Sequence, residues 1–106
     1  MSYIFNISFV VPVARKQGFI GWASGEARLA AASDTLRDFR SLLVAAIPGD
    51  TEFDKSPDRT FSIQLCFDSL KDCREWHASR FDSLMLSYSA WHGPNPLFFA
   101  TILKEV

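Results

Sequence analysis

The side chains best suited to chemistry are few: two histidines, His77 and His92, and two cysteines, Cys66 and Cys73. On one helix the histidines would stand about 22 Å apart, at 1.5 Å of rise per residue, so they cannot share a metal ion. No carboxylate or cysteine joins either of them at zinc-ligand spacing. The cysteines do not form a Cys-x-x-Cys pair and read as reduced core thiols. For Cys66 to act as a nucleophile, a neighbouring base would have to lower its pKa, and nothing in the sequence places one there. Asp34, Asp38, Asp50, Asp54 and Asp58 are scattered and build no EF-hand ladder. Gly18, Gly21 and Gly25 do not make Gly-x-Gly-x-x-Gly, and there is no Gly-x-Ser-x-Gly elbow.

Polar residues set into apolar patterns are the remaining candidates. Asn6 interrupts an aromatic, β-branched stretch. If buried, its amide needs partners, from Ser8, Gln64, a second copy of the chain or a ligand. Gln64 and Ser62 occupy a similar setting. His77 falls among apolar residues and reads first as a hydrogen-bonded packing histidine. His92 precedes Gly93-Pro94, where it complements the negative end of a helix dipole. Trp22, Trp76 and Trp91 sit at helical spacing, which favours core or interface over a stacking platform for a planar ligand.

The elements that must hold these residues follow from periodicity. Residues 3–11 alternate, with Tyr3, Phe5, Ile7, Phe9 and Val11 on one face and Ile4, Asn6, Ser8 and Val10 on the other; this is a strand, ended by Pro12. Residues 14–32 carry Phe19, Ile20, Trp22, Ala23, Ala27 and Ala30 near helical spacing and predict a helix, weakened by its three glycines. Arg37 to Ile47 predict a second strand, and Pro48-Gly49-Asp50 opens a polar loop reaching Arg59. Residues 60–67 alternate again, Phe61, Ile63, Leu65 and Phe67 against Ser62, Gln64 and Cys66. Ser69 with Asp72 three residues on matches a capping box. A long helix follows, with Leu70, Cys73, His77, Phe81, Leu84, Tyr88 and Trp91 as its stripe. Gly93-Pro94-Asn95-Pro96 stops it, and residues 97–103 form a last strand.

Strand, helix, strand, strand, helix, strand is the order of the ferredoxin-like βαββαβ fold, an α+β class with a four-stranded antiparallel sheet. Right-handed crossovers put both helices on one face. The strongly apolar faces of residues 3–11 and 60–67 suit that covered side. The other side is expected to hold Ile4, Asn6, Ser8, Val10, Ser62, Gln64, Cys66 and, from the last strand, Phe98, Ala100 and Ile102. That mixture is too apolar for open solvent. Two such sheets face to face give eight strands and an interior in the range that holds one small ligand. A homodimer with an amphipathic cavity is the expectation.

Length and composition bound the rest. One domain over residues 1–106 accommodates a chain of 106 residues. Hydrophobic residues are 48%, and ten Phe with three Trp are a heavy aromatic load for so short a chain, to be either buried or used at an interface. A net charge of −1 leaves no footprint for nucleic acid or anionic lipid. No apolar run approaches bilayer-spanning length, and the opening residues lack a basic region with a cleavage site. The expectation is a cytoplasmic protein with no membrane or nucleic-acid partner.

Across nearly its whole length the chain resembles the dimeric α/β-barrel superfamily, and within it a family of short uncharacterised bacterial proteins. Carrying the resemblance are Tyr3-Ile4-Phe5-Asn6-Ile7-Ser8-Phe9, Trp22, Phe39-Arg40-Ser41-Leu42-Leu43, Phe61 to Phe67 with Asp68-Ser69-Leu70, and Leu103-Lys104-Glu105-Val106. A histidine that relatives carry at the end of the first helix has no counterpart in Glu26-Ala27-Arg28-Leu29. The superfamily includes quinone-forming and haem-degrading monooxygenases. The haem-degrading type uses an Asn on the first strand and a Trp and a His from the second-helix region. Asn6, Trp76 and His77 occupy broadly those places, although adjacent helical residues point about 100° apart. Three functions are therefore in view. The leading one is a small-molecule-binding homodimer without a cofactor. Its ligand, apolar or aromatic, would lie in the barrel or between sheet and second helix, near Asn6, Gln64, Trp76, His77 and Phe98. The others are a cofactor-poor or haem-degrading monooxygenase and a purely structural interaction module.

Overall fold

The computed structural model describes residues 2–106. Strand β1, Tyr3–Pro12, leads through a short 3-10 turn into helices α1, Lys16–Ser24, and α2, Glu26–Ala31. Strands β2, Asp38–Leu43, and β3, Asp58–Phe67, form a hairpin. Helix α3, Leu70–His92, and strand β4, Leu97–Lys104, complete the chain. All pairings are antiparallel, in the order β2-β3-β1-β4 that the ferredoxin-like topology requires.

Alternation decides which side is covered. Phe5, Ile7, Phe9 and Val11 of β1 and Phe61, Ile63, Leu65 and Phe67 of β3 are buried beneath the helices. Between them stands an aromatic cluster in which Phe19 stacks on Phe61 with ring centroids 4.3 Å apart, and Tyr88 meets Phe9 at 4.5 Å. Trp22 closes the cluster at 5.0 Å from Tyr88, and its indole N–H donates to Ser87 Oγ. Offset and edge-on contacts of this kind add to the burial of apolar area.

The predicted helix over 14–32 is broken. Gly25 takes φ −112° and ψ −90° between α1 and α2, while its N–H still bonds back to the carbonyls of Gly21 and Trp22. The break leaves Ala27 and Ala31 buried, and the Ala31 carbonyl accepts the Trp76 indole N–H at 2.8 Å. The second strand is shorter than 37–47. Its pairing runs out after the Val44 N–H bonds to the Thr60 carbonyl. Residues 44–52 are exposed, and Val44 and Ile47 are among their apolar members.

The capping reading of α3 agrees with the structure: Ser69 Oγ accepts the Asp72 N–H at 3.1 Å. At the far end Gly93 has φ +91° and ψ −162°, a conformation open in practice to glycine alone. Arg15 braces that end. Its guanidinium donates to the Trp91 carbonyl at 2.7 Å and the His92 carbonyl at 2.8 Å, and lies 4.1 Å over the Trp91 ring. A cation there satisfies orphan carbonyls and opposes the negative helix end. Among the described residues no helix is long and apolar enough to cross a membrane.

Candidate functional site

The two faces of the sheet hold two separate sets of candidates. On the open face, register lines up Arg40, Gln64, Asn6 and Thr101 in one polar row across all four strands. The next row is Leu42, Ser62, Ser8 and Phe99; on the other side come Asp38, Cys66, Ile4 and Leu103. Asn6 is tied down within this surface. Its Oδ1 accepts the Ser62 hydroxyl at 2.5 Å and its amide donates to Ser8 Oγ at 3.4 Å. Gln64 has no side-chain partner among the described residues, and Arg40 pairs with Asp38 at 2.7 Å. Cys66 is half-buried here. Burial pushes its thiol pKa up and the Arg40 charge pulls it back less, so it stays protonated and inert.

Phe98 corrects the sequence reading. It pairs with Phe9 across β1–β4, so it shares the covered side with Phe9 and packs against the core. Ala100 and Ile102 go with it. The open face instead receives Leu97, Phe99, Thr101 and Leu103. Phe99 is 58% exposed. The last strand is apolar at both parities, so composition alone cannot choose its face; only the register against β1 can.

On the covered side the sequence candidates also separate. Trp76 is only 1% exposed, its N–H is used by Ala31, and it packs on Phe5 and Phe67. Only its edge borders a polar depression of about 590 Å³ shared by Asp34, Glu75 and Arg80. His77 is not buried in the stripe as expected. Trp76 fills the centre of the helix–sheet contact, and His77 turns outward, its ring stacked on Phe81 at 4.8 Å and 5.5 Å from Phe5. Burial pushes the Cys73 thiol pKa up, and His92 lies at the far end of α3 against Tyr88.

His77 borders a cleft of about 310 Å³ between α3 and β4, lined by Phe5, Arg74, His77, Ala100, Thr101 and Ile102. It exists because α1, α2 and the centre of α3 cover β1 and β3, while the outer half of β4 extends past them. Ile102, although on the helix side, is 43% exposed. The volume lies at the lower end of the range for small-molecule sites, and an apolar floor with a few polar rim groups is their usual make-up. Arg74 was missed in the sequence; its position three residues before His77, on the same helix flank, is the signal that could have found it. Ala100 and Ile102 were assigned to the opposite face for the reason given above.

The haem reading does not fit this arrangement. Asn6 points into the open face with Ser8 and Ser62, His77 lies across the sheet, and Trp76 is sealed in the core. The three cannot converge on one group within a protomer. Among the described residues there is also no group of three His, Cys, Asp or Glu side chains placed to hold a metal ion.

No family model and no curated protein matches the chain. Solved structures do match its fold. A protein of the ethyl tert-butyl ether degradation family from Bacillus halodurans superposes with a TM-score of 0.72 at 13% identity, covering 100% of both chains. A proposed antibiotic biosynthesis monooxygenase from Nitrosomonas europaea gives 0.64 at 11% identity, over 99% of this chain and 90% of that one. A dimeric ferredoxin-like protein of unknown function from Thermobifida fusca gives 0.55 at 16%, over 96% and 90%. At these identities the likeness concerns the fold alone: this chain has the ferredoxin-like fold.

Proposed function

We propose that this chain is a cytoplasmic, homodimeric small-molecule-binding domain whose ligand, apolar or aromatic, occupies the cleft between β4 and α3. The observation that carries the reading is the cleft itself: Phe5, Ala100 and Ile102 form an apolar floor and His77 an aromatic wall backed by Phe81. A planar ring entering there extends the Phe81–His77 stack at little entropic cost, since both rings are already held. Homodimerisation is supported by the open face, where Leu42, Leu97, Phe99 and Leu103 are exposed together around a polar centre. Asn6 and Gln64 then belong to the interface, where Gln64 finds in a second copy the partner it lacks.

The test is titration of the purified protein with naphthalene-2-methanol, followed by amide NMR shifts. Perturbations should centre on His77 and on residues 100–102. Ala100→Trp should abolish them while circular dichroism stays unchanged, because Ala100 is exposed and a larger side chain fills the cleft rather than the core. Perturbations confined to the open face would refute the placement.

One feature favours a second reading, a cofactor-independent monooxygenase. The His77 imidazole is the one group lining the cleft able to accept a proton from an activated aromatic substrate. The Nitrosomonas europaea neighbour lends that reading its fold.

A further inference from the structure

Resting on the cleft assigned above, we infer that its ligand is an anion, a planar aromatic carboxylate or a compound of the same chemistry, held by Arg74 at the rim with its ring against His77. Charge makes the case. No carboxylate lines the cleft, and Arg74 is its one fixed charge. Arg74 enters no ion pair among the described residues, and no acid of α3 stands three or four residues from it. Its neighbour Glu75 is directed to Lys71 instead, at 3.9 Å. Lys104, two residues beyond Ile102 on the same face of β4, is also in no ion pair among the described residues. An uncompensated cation, Arg74, therefore borders an apolar slot that contains no opposing charge, with Lys104 farther along the strand.

Geometry makes the same choice. Arg74 and His77 are separated by three residues on one helix, so guanidinium and imidazole project from neighbouring positions of one flank. A ring stacked on His77 places a substituent on its edge within reach of the guanidinium. A carboxylate can meet that planar fork with two parallel hydrogen bonds, which a neutral hydroxyl cannot. Beside a low-dielectric floor such bonds are screened less than in open water.

The experiment compares 2-naphthoate with naphthalene-2-methanol, which share a ring and differ in charge, by titration calorimetry at low salt. The naphthoate should bind at least about tenfold more tightly, the size expected of a charge-assisted hydrogen bond. Arg74→Gln should erase the difference and leave the neutral compound unaffected; Arg74 is exposed, so the variant keeps the fold. Ala100→Trp should abolish binding of both. Equal affinities in the unaltered protein, or a preference that survives Arg74→Gln, would overturn the inference while leaving the cleft as a binding site. Failure of both compounds to bind, or binding unaffected by Ala100→Trp, would overturn the cleft and the inference together.

Discussion

Phe99→Asp tests the open face where the structure departs most from what the sequence suggested. A whole Phe side chain buries about 200 Å², so at 58% exposure Phe99 offers roughly 120 Å² of mostly apolar surface. At about 25 cal/mol per Å² this is worth about 3 kcal/mol per copy if a partner covers it fully. A two-fold contact uses the residue twice, so the limit is about 6 kcal/mol for the pair. With about 1.4 kcal/mol per tenfold, losing even half of that weakens association by a factor of about 100. Aspartate adds the cost of burying a charge beside Leu97 and whatever covers it, so the full effect should exceed that figure. Light scattering at about 10 μM should show the unaltered protein as a dimer and Phe99→Asp as a folded monomer. The companion variant is Phe98→Ala. Phe98 packs against the core on the other side of the sheet and lies 6.5 Å from Phe81. It should lower the urea midpoint by an amount equivalent to about 1–3 kcal/mol and leave the association constant alone. If Phe98→Ala dissociates the dimer and Phe99→Asp does not, the assignment of faces on β4 is wrong. A monomeric unaltered protein would refute the interface altogether.

Two further predictions concern stability. Arg15→Met keeps the apolar stem but removes both bonds to the end of α3 and the contact over Trp91; it should cost about 2 kcal/mol in urea unfolding, and a loss below about 0.5 kcal/mol would show that the brace is idle. Burial holds the Tyr88 hydroxyl pKa up at about 12, and this hydroxyl has no hydrogen-bond partner. The unfolded chain releases that proton near pH 10 and the folded one near pH 12, so the unfolded state binds fewer protons in between and stability falls as pH rises through that window. Urea midpoints at pH 9 and pH 11.5 should diverge less in Tyr88→Phe than in the unaltered chain; at pH 9 the variant should be no less stable, because it removes an unsatisfied buried group.

What the sequence disclosed depends on whether a signal was local. The alternation of β1 and β3 is strict, so their faces were readable from residue types, and Ser69 with Asp72 marked the start of α3 without help from the rest of the chain. Strand β4 reads Leu97-Phe98-Phe99-Ala100-Thr101-Ile102-Leu103, apolar at both parities, and its face is settled only by pairing with β1. The histidine was misplaced for a similar reason. Spacing put His77 on the stripe, but a helix side holds only so much volume, and Trp76 claimed the centre through a hydrogen bond to a carbonyl 45 residues away. Arg15 bracing α3 across 76 residues is likewise invisible to any local pattern.

The register of β4 bears directly on the proposed function, because that strand serves both sides of the sheet. Were Phe98, Ala100 and Ile102 on the open face, they would join Asn6 and Gln64 there, and the ligand site and the dimer interface would be one place. The register separates them. Phe99, Thr101 and Leu103 lie on the open face, while Ala100 and Ile102 form the floor of the cleft on the helix side. One strand then carries two surfaces back to back, and a shift of β4 by one residue would exchange them. The proposed dimer contact and the proposed ligand cleft would therefore be joined through β4, the edge strand that pairs with β1 alone. A partner that clamps the outer face of β4 orders the cleft floor behind it. Naphthoate binding should accordingly weaken in Phe99→Asp, although Phe99 lies across the sheet from the cleft and touches no ligand. Unchanged affinity in that monomer would show that the two faces of β4 act independently.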